Sequence, residues 1–379
     1  MAATRGRINV MADNEFSAAI SQRMQNQALW RPMQGDIAGV VSAFVGTQAQ
    51  EFPYALWGVA QRIADRPNKA AMLKAFDDGQ LLRTHVLRPT WHFAVPEDIR
   101  WMLRLTAPKL RRMMGSYFRQ YGLDADEISR SNDVLAAAVD GGRHCARKEL
   151  VTVLEAAGVV TGGLRMMFLL LLAEYDEVLV SGAMQGKQQT YAAFDDRVPA
   201  GPDYDEDQAL AELARRYVRT RAPVTSKDLA GWASLTLTQA RRAFAAIEAE
   251  CLVTELDGMT VWAPAEPEEF APAIESGSPM VDLVQPYDEV IMSYFESRRL
   301  LAPMGVLPVA DYASYGPALL VDGQLAGHWR HRIGRRDALI EIQLRRSLSG
   351  PERAALQAAV AHYGDFLDMP TTMADPEFV

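Results

Sequence analysis

One order of elements, three helical stretches and then two β-like runs, recurs three times between residues 36 and 265. Such repetition constrains the fold more than any single motif, because each copy must bury its apolar face internally or against a neighbour. In the first copy, "GDIAGVVSAFVG" offers Asp36 as a helix N-cap, with Ile37, Val40, Val41 and Phe44 on one helical face. Gly46 is expected to end that helix. "FPYALWGVAQRIAD" begins a second helix, with Pro53 in a tolerated first-turn position, and "NKAAMLKAFDDG" a third. "QLLRTHVL" and "TWHFAV" follow as strands joined by a turn at Arg88–Pro89. The second copy reads through "RKELVTVLEAAG" and "GLRMMFLLLLAEYDE" to "VLVSGAMQGKQQTYAAF". In the third, "DEDQALAELARRYVRTR", "TSKDLAGWA" and "TLTQARRAFAAIEAE" lead to "LVTELDGMTVWAP", whose Asp257–Gly258 is a tight hairpin turn signal.

Three helices followed by a hairpin is the order of a winged-helix domain, in which the third helix and the hairpin usually meet DNA. A Pro/Glu-rich stretch at 263–279 is expected to be a linker, after which the runs read mainly as strands, with a turn at Asp322–Gly323 and a closing helix "GPERAALQAAVAHYGDFL". The expected fold class is α+β and mainly helical: three tandem winged-helix units followed by a small β-barrel-like domain. Its divisions are an N-terminal tail (1–29), winged-helix 1 (30–124), winged-helix 2 (125–202), winged-helix 3 (203–275) and the β-barrel-like domain with its C-terminal helix and polar tail (276–379).

Composition excludes several classes. The longest apolar run, "RMMFLLLLAEY", is too short to span a membrane, and the N-terminus lacks a signal-peptide core, so a cytoplasmic protein is expected. Two cysteines, Cys145 and Cys251, read as free thiols. The net charge of −9 argues against a protein that coats nucleic acid, but fields are local, and "GHWRHRIGRR" gathers Arg330, Arg332, Arg335 and Arg336. That cluster reads either as a solvated strand and turn or as a phosphate-facing surface. The six histidines show no HExxH spacing, and no CxxC, P-loop, GxGxxG after a strand or GxSxG elbow is present. No metal or cofactor is expected.

Two stretches remain. In "LRPTWHF", Arg88 sits in the turn and Thr90 and His92 fall on one face of a strand. The hairpin is either a packed wing whose His92 satisfies a local hydrogen bond, or a basic tip that meets phosphate. In "TQAQEF", Gln48 and Gln50 stand at a helix junction. Glutamine is neither a useful acid nor a useful base. Its carbonyl can hold a water and its amide can orient a sugar or phosphate. That suffices only where the leaving group needs no proton, as with N7-alkylated guanine, which already carries positive charge. Neither glutamine belongs to an apolar stripe, so folding is expected to tolerate the loss of either.

The chain resembles the bacterial winged-helix DNA glycosylases of the AlkZ type. The resemblance rests on "VGTQAQEFPYALWGVAQR", "LRTHVLRPTWHFAVPEDIRWML", "PVTSKDLAGWASLTLTQARRAF", "YDEVIMSYFESR" and "VDGQLAGHWR", in the family's order. It implies a C-shaped molecule cradling duplex DNA, and a monofunctional glycosylase that excises N7-alkylguanine and unhooks interstrand crosslinks. It implies a catalytic glutamine–aliphatic–glutamine motif, matched by Gln48, Ala49 and Gln50. The DNA-binding set becomes Arg88, Thr90, His92, Arg298, Arg330, Arg332 and Arg335. Double-stranded DNA carrying alkylated guanine is the expected partner, met by a monomer at the nucleoid. Where many members carry tryptophan and methionine and then arginine–glycine–threonine in the hairpin, this chain has His85, Leu87 and Arg88–Pro89–Thr90. The reading from another class is a winged-helix DNA-binding protein without catalysis, such as a regulator.

Overall fold

The structure, a computed structural model, describes residues 16–266, 278–301 and 316–378. Most of the linker expected at 263–279 lies outside them. The described residues begin with helix α1 over 16–26, within the stretch expected to be a tail, and its Arg23 is fully buried against the Pro223 carbonyl and Ser297. A polar-looking segment becomes a helix here because buried acceptors elsewhere in the chain satisfy its guanidinium.

Helix α2 (Ile37–Ala43) is capped by Asp36, whose carboxylate accepts from the Gly39 amide. It ends before Gly46, and the left-handed residue that turns the chain is Val45, with φ 65°. Strand β1 (Thr47–Gln48), α3 (Phe52–Ala60), α4 (Lys69–Asp77), β2 (Leu82–His85) and β3 (Trp91–Ala94) follow. The three strands form one small sheet in the order β1-β3-β2, with Gln48 opposite His92. Helix α5 (Pro96–Gln120) leads to α6 (Ala125–Val139), β4 (Cys145–Ala146), α7 (Arg147–Ala156), α8 (Arg165–Tyr175), β5 (Leu179–Ser181) and β6 (Thr190–Ala193). The sheet of that group repeats the pattern as β4-β6-β5. After the short α9 (Phe194–Arg197) come α10 (Glu206–Arg221), α11 (Ser226–Trp232), α12 (Leu237–Ala246) and the hairpin β7 (Cys251–Leu256) and β8 (Met259–Pro264). Positive φ at both Asp257 and Gly258 makes the turn that the sequence signalled.

The final part is an open half-barrel sheet rather than a closed barrel. Strands β9 (Val281–Val284), β10 (Ala318–Val321), β11 (Gln324–Ile333) and β12 (Ala338–Leu344) pair antiparallel in sequence order. Helix α14 (Gly350–Leu367) covers the sheet, and the expected polar tail supplies β13 (Thr371–Met373) and β14 (Glu377–Phe378), both parallel to β12. "YDEVIMSYFESRRLL" is not strand. Asp288 accepts from the Val290 amide and starts the one-turn helix α13 (Glu289–Met292), and a 3-10 turn covers Ser297–Leu301. Among the described residues no helix is long and apolar enough to cross a membrane.

Two apolar clusters organise these parts. One runs through α5 to α12, and the other joins α2, α3 and α4 to the half-barrel and α14. Trp57 is the pin of the second: its ring lies against Tyr363 and Phe366, and its indole N–H donates to the Leu283 carbonyl at 2.6 Å. Packing a helix of the first group onto β9 carries residues 48–62 to the segment 281–293, and the site depends on that meeting.

Next to this seam, Asp282 accepts from the Trp30 indole at 3.0 Å. Burial pushes its carboxyl up to about 6, against smaller opposing effects of Trp30 and Arg62. A pKa raised on folding favours the folded state below about pH 4, and that contribution disappears as the pH rises through about 6. Asp282→Asn keeps an acceptor for Trp30 without the buried charge. It should match the wild type at pH 4 and gain about 1–3 kcal/mol at pH 7.5. Thermal melts across that range would show a growing difference, and a constant one would refute the assignment.

Candidate active site

The glutamine motif sits where β1, the β2–β3 hairpin, α11 and α13 meet. Two bulky residues with positive φ shape it: Val45 with φ 65° and Leu87 with φ 62°, both fully buried. Left-handed backbone is unfavourable for such residues and persists only where the surroundings over-determine it. At Leu87 the Arg88 amide donates back to the Val86 carbonyl at 2.6 Å, a γ-turn that swings Arg88 inward. Gly46 allows the close approach: a Cβ there would lie 3.3 Å from the Leu87 side chain and 3.4 Å from the Phe93 carbonyl.

Gln48 is 1% exposed and Gln50 is exposed. The Gln48 amide N–H donates to the Glu289 carboxylate at 2.9 Å, and its backbone carbonyl accepts from Gln285 at 3.2 Å. Its side-chain oxygen accepts from Arg88 Nη2 at 2.5 Å, while Arg88 Nη1 donates to the Trp232 carbonyl at 2.8 Å. Gln50 is held more loosely, its side-chain oxygen 3.4 Å from the Trp91 amide nitrogen. Below the motif, Arg83 donates to the Ala49 and Gln50 carbonyls and lies over the Trp91 ring.

Glu289 is the hub. One carboxylate oxygen takes the Gln48 amide, and the other takes Arg221 at 3.1 Å, the Trp232 indole at 2.7 Å and Ser293 Oγ at 2.9 Å. Burial would raise its pKa, but Arg221 first, then Arg88 and the Gln48 amide, outweigh it and hold the carboxyl at about 2. His92 is pushed well below the usual imidazole range, by burial and then by Arg88, and is neutral. Its Nδ1 faces the Thr90 carbonyl, 2.8 Å away, so Nδ1 carries the proton and Nε2 is an acceptor. Burial also lowers the Arg88 guanidinium, to about 10, which leaves it charged at neutral pH.

The expected DNA-binding residues separate into two places. Arg88 (7% exposed), His92 and Arg298 are buried, and the Thr90 hydroxyl is buried too. Arg88 is therefore not an exposed hairpin tip, because its guanidinium is turned onto Gln48 and Trp232. Arg298 lies beneath the Phe295 ring. By contrast, Arg330 and Arg332 are exposed on β11 beside Glu341, and Arg335 and Arg336 are exposed beyond it. This strand meets the helix that follows the motif through His331, whose ring stacks at 4.2 Å on Tyr54, four residues past Gln50. Sequence reasoning missed Glu289, Trp232, Arg221 and Gln285. Glu289 and Trp232 stand in blocks that carry the resemblance, but a lone carboxylate or indole in a sequence does not announce its partners.

The profile described as "DNA glycosylase AlkZ-like" matches residues 41–366, and the chain belongs to that family of DNA glycosylases. Among solved structures, the Streptomyces sahachiroi DNA glycosylase AlkZ has the same fold, with TM-score 0.74 and 21% identity over 94% of this chain and 99% of that one. No curated protein sequence matches the chain significantly.

Proposed function

We propose that this glycosylase removes N7-alkylguanine from duplex DNA by hydrolysing the N-glycosidic bond, with Gln48 and Gln50 as the polar groups at the reacting sugar. One observation carries the reading: the titratable groups packed against Gln48 supply no proton. Glu289 is held ionised, His92 is neutral, and the guanidinium groups of Arg88 and Arg221 are turned onto Gln48 and Glu289. A site without an acid suits a base that leaves as a neutral molecule once its bond breaks, and N7-alkylation provides that by making the bound base cationic. The protein's part is then to orient water and stabilise a cationic sugar. Glu289 adds fixed negative charge behind Gln48. Crosslinked guanines alkylated at N7 belong to the same chemical class.

The three helix-and-sheet groups act in this reading as tandem winged-helix units, over 30–124, 125–202 and 203–275. With the half-barrel they curve round the duplex as a C-shaped monomer working at the nucleoid. The test incubates the protein with a duplex containing one N7-methylguanine and treats half of each sample with alkali. Strand breaks should appear only after alkali, as expected of a monofunctional enzyme that leaves an abasic site. Neutral lesions that need base protonation should be poor substrates. Absence of alkali-labile sites in the N7-methylguanine duplex would overturn the substrate assignment.

The exposed arginines of β11 serve as phosphate contacts in this reading, which position a duplex without reading its sequence. Arg330→Ala with Arg332→Ala should weaken all duplexes alike and flatten the slope of log affinity against log salt by about 2. An unchanged slope in binding titrations at several salt concentrations would remove β11 from the interface.

A further inference from the structure

The buried position of Arg88 assigns it a part in the chemistry. A guanidinium has only donors, so the Gln48 side-chain atom that meets Arg88 Nη2 must be the carbonyl oxygen. The amide orientation is thereby decided: Gln48 Nε2 points away from the clamp and forms no hydrogen bond with any described residue. Arg88 is itself fixed at three points. Its Nη1 holds the Trp232 carbonyl, the Leu87 γ-turn aims it, and Glu289 lies 3.9 Å from Nη2. Glu289 also grips the Gln48 backbone N–H, so one carboxylate sets both ends of the Gln48 residue. We infer that Arg88, anchored by Glu289 and Trp232, is a positioning residue that locks Gln48 with its amide N–H groups toward the substrate.

The inference rests on the catalytic reading of Gln48 and divides the labour of the pair. Gln48, with its oxygen engaged by Arg88, serves as a donor to a deoxyribose or phosphate oxygen. The side-chain oxygen of Gln50, exposed and held only at 3.4 Å, is left to accept from the attacking water. It also explains why a basic side chain at the expected hairpin tip is buried, and it ties residue 48 to α11 and α13, far away in sequence.

The test is a double-mutant cycle read by single-turnover excision of N7-methylguanine, with duplex binding measured in parallel. Arg88→Met should slow excision about 10–100-fold while the duplex dissociation constant and its salt slope stay near wild type. In a Gln48→Ala background, Arg88→Met should cause little further loss, because a residue that acts only through Gln48 has nothing left to position. A structural defect would instead multiply the losses. Arg88→Lys, which keeps the charge but not the two-pronged reach, should fall between and guards against a Met variant that folds poorly. Multiplicative losses, or a lowered salt slope with unchanged excision, would overturn the inference and leave Gln48 catalytic. A Gln48→Ala enzyme as fast as wild type would overturn the catalytic reading itself.

Discussion

Gln48→Ala and Gln50→Ala should each reduce single-turnover excision of N7-methylguanine by about 10²–10³, the usual effect of removing one preorganised polar contact from a transition state. Slow excision should persist in both, because the cationic base remains a good leaving group without them. The two variants should differ in stability, contrary to the expectation from sequence that both are dispensable for folding. Gln50 is exposed and its loss should leave the melting temperature unchanged. Gln48 is 1% exposed and accepts from a buried guanidinium. Removing it leaves Arg88 short of a partner and should cost about 1–3 kcal/mol. Excision rates must therefore be compared well below the melting temperature of the weaker variant. If both mutants then excise at the wild-type rate, the glutamines are structural.

A second large effect is expected at the seam between the first helices and the half-barrel. Arg62 and Asp288 form a two-pronged ion pair at 2.6 and 3.2 Å, with side chains 1% and 0% exposed. Arg62 further donates to the Gly58 carbonyl and to the Gln27 carbonyl, which joins α1 and α3 to the start of α13. Arg62→Met strands the Asp288 carboxylate in a buried site and should cost about 3–5 kcal/mol. That is a large fraction of the roughly 5–15 kcal/mol available to a folded protein. Asp288 caps the helix that begins with Glu289, so excision should weaken along with stability. Adding Asp288→Asn removes the unpaired charge and should recover part of the loss, as read from urea midpoints. A single mutant with an unchanged midpoint would show that the pair contributes nothing net.

Local chemistry decided much of the molecule from sequence alone. Asp36 caps α2, Asp257–Gly258 and Asp322–Gly323 turn their hairpins, and "GPERAALQAAVAHYGDFL" is α14 from end to end, because capping, left-handed turn residues and apolar periodicity act over a few residues. The Gln48–Ala49–Gln50 motif stood out only through a resemblance, and its catalytic part is a proposal. The tertiary structure alone decided what surrounds it. Arg88 read either as part of a packed wing or as a basic tip and is a buried clamp, since a γ-turn at Leu87, held by packing, reverses its direction. Residues 16–26 looked like a tail and are a helix, since Pro223 and Ser297 supply its acceptors. Glu289 looked like part of a strand and is the hub of the site, since Arg221, Trp232 and Ser293 arrive from elsewhere in the chain. A buried charge can exist only where partners converge on it, and their convergence is a property of the packed chain rather than of any segment.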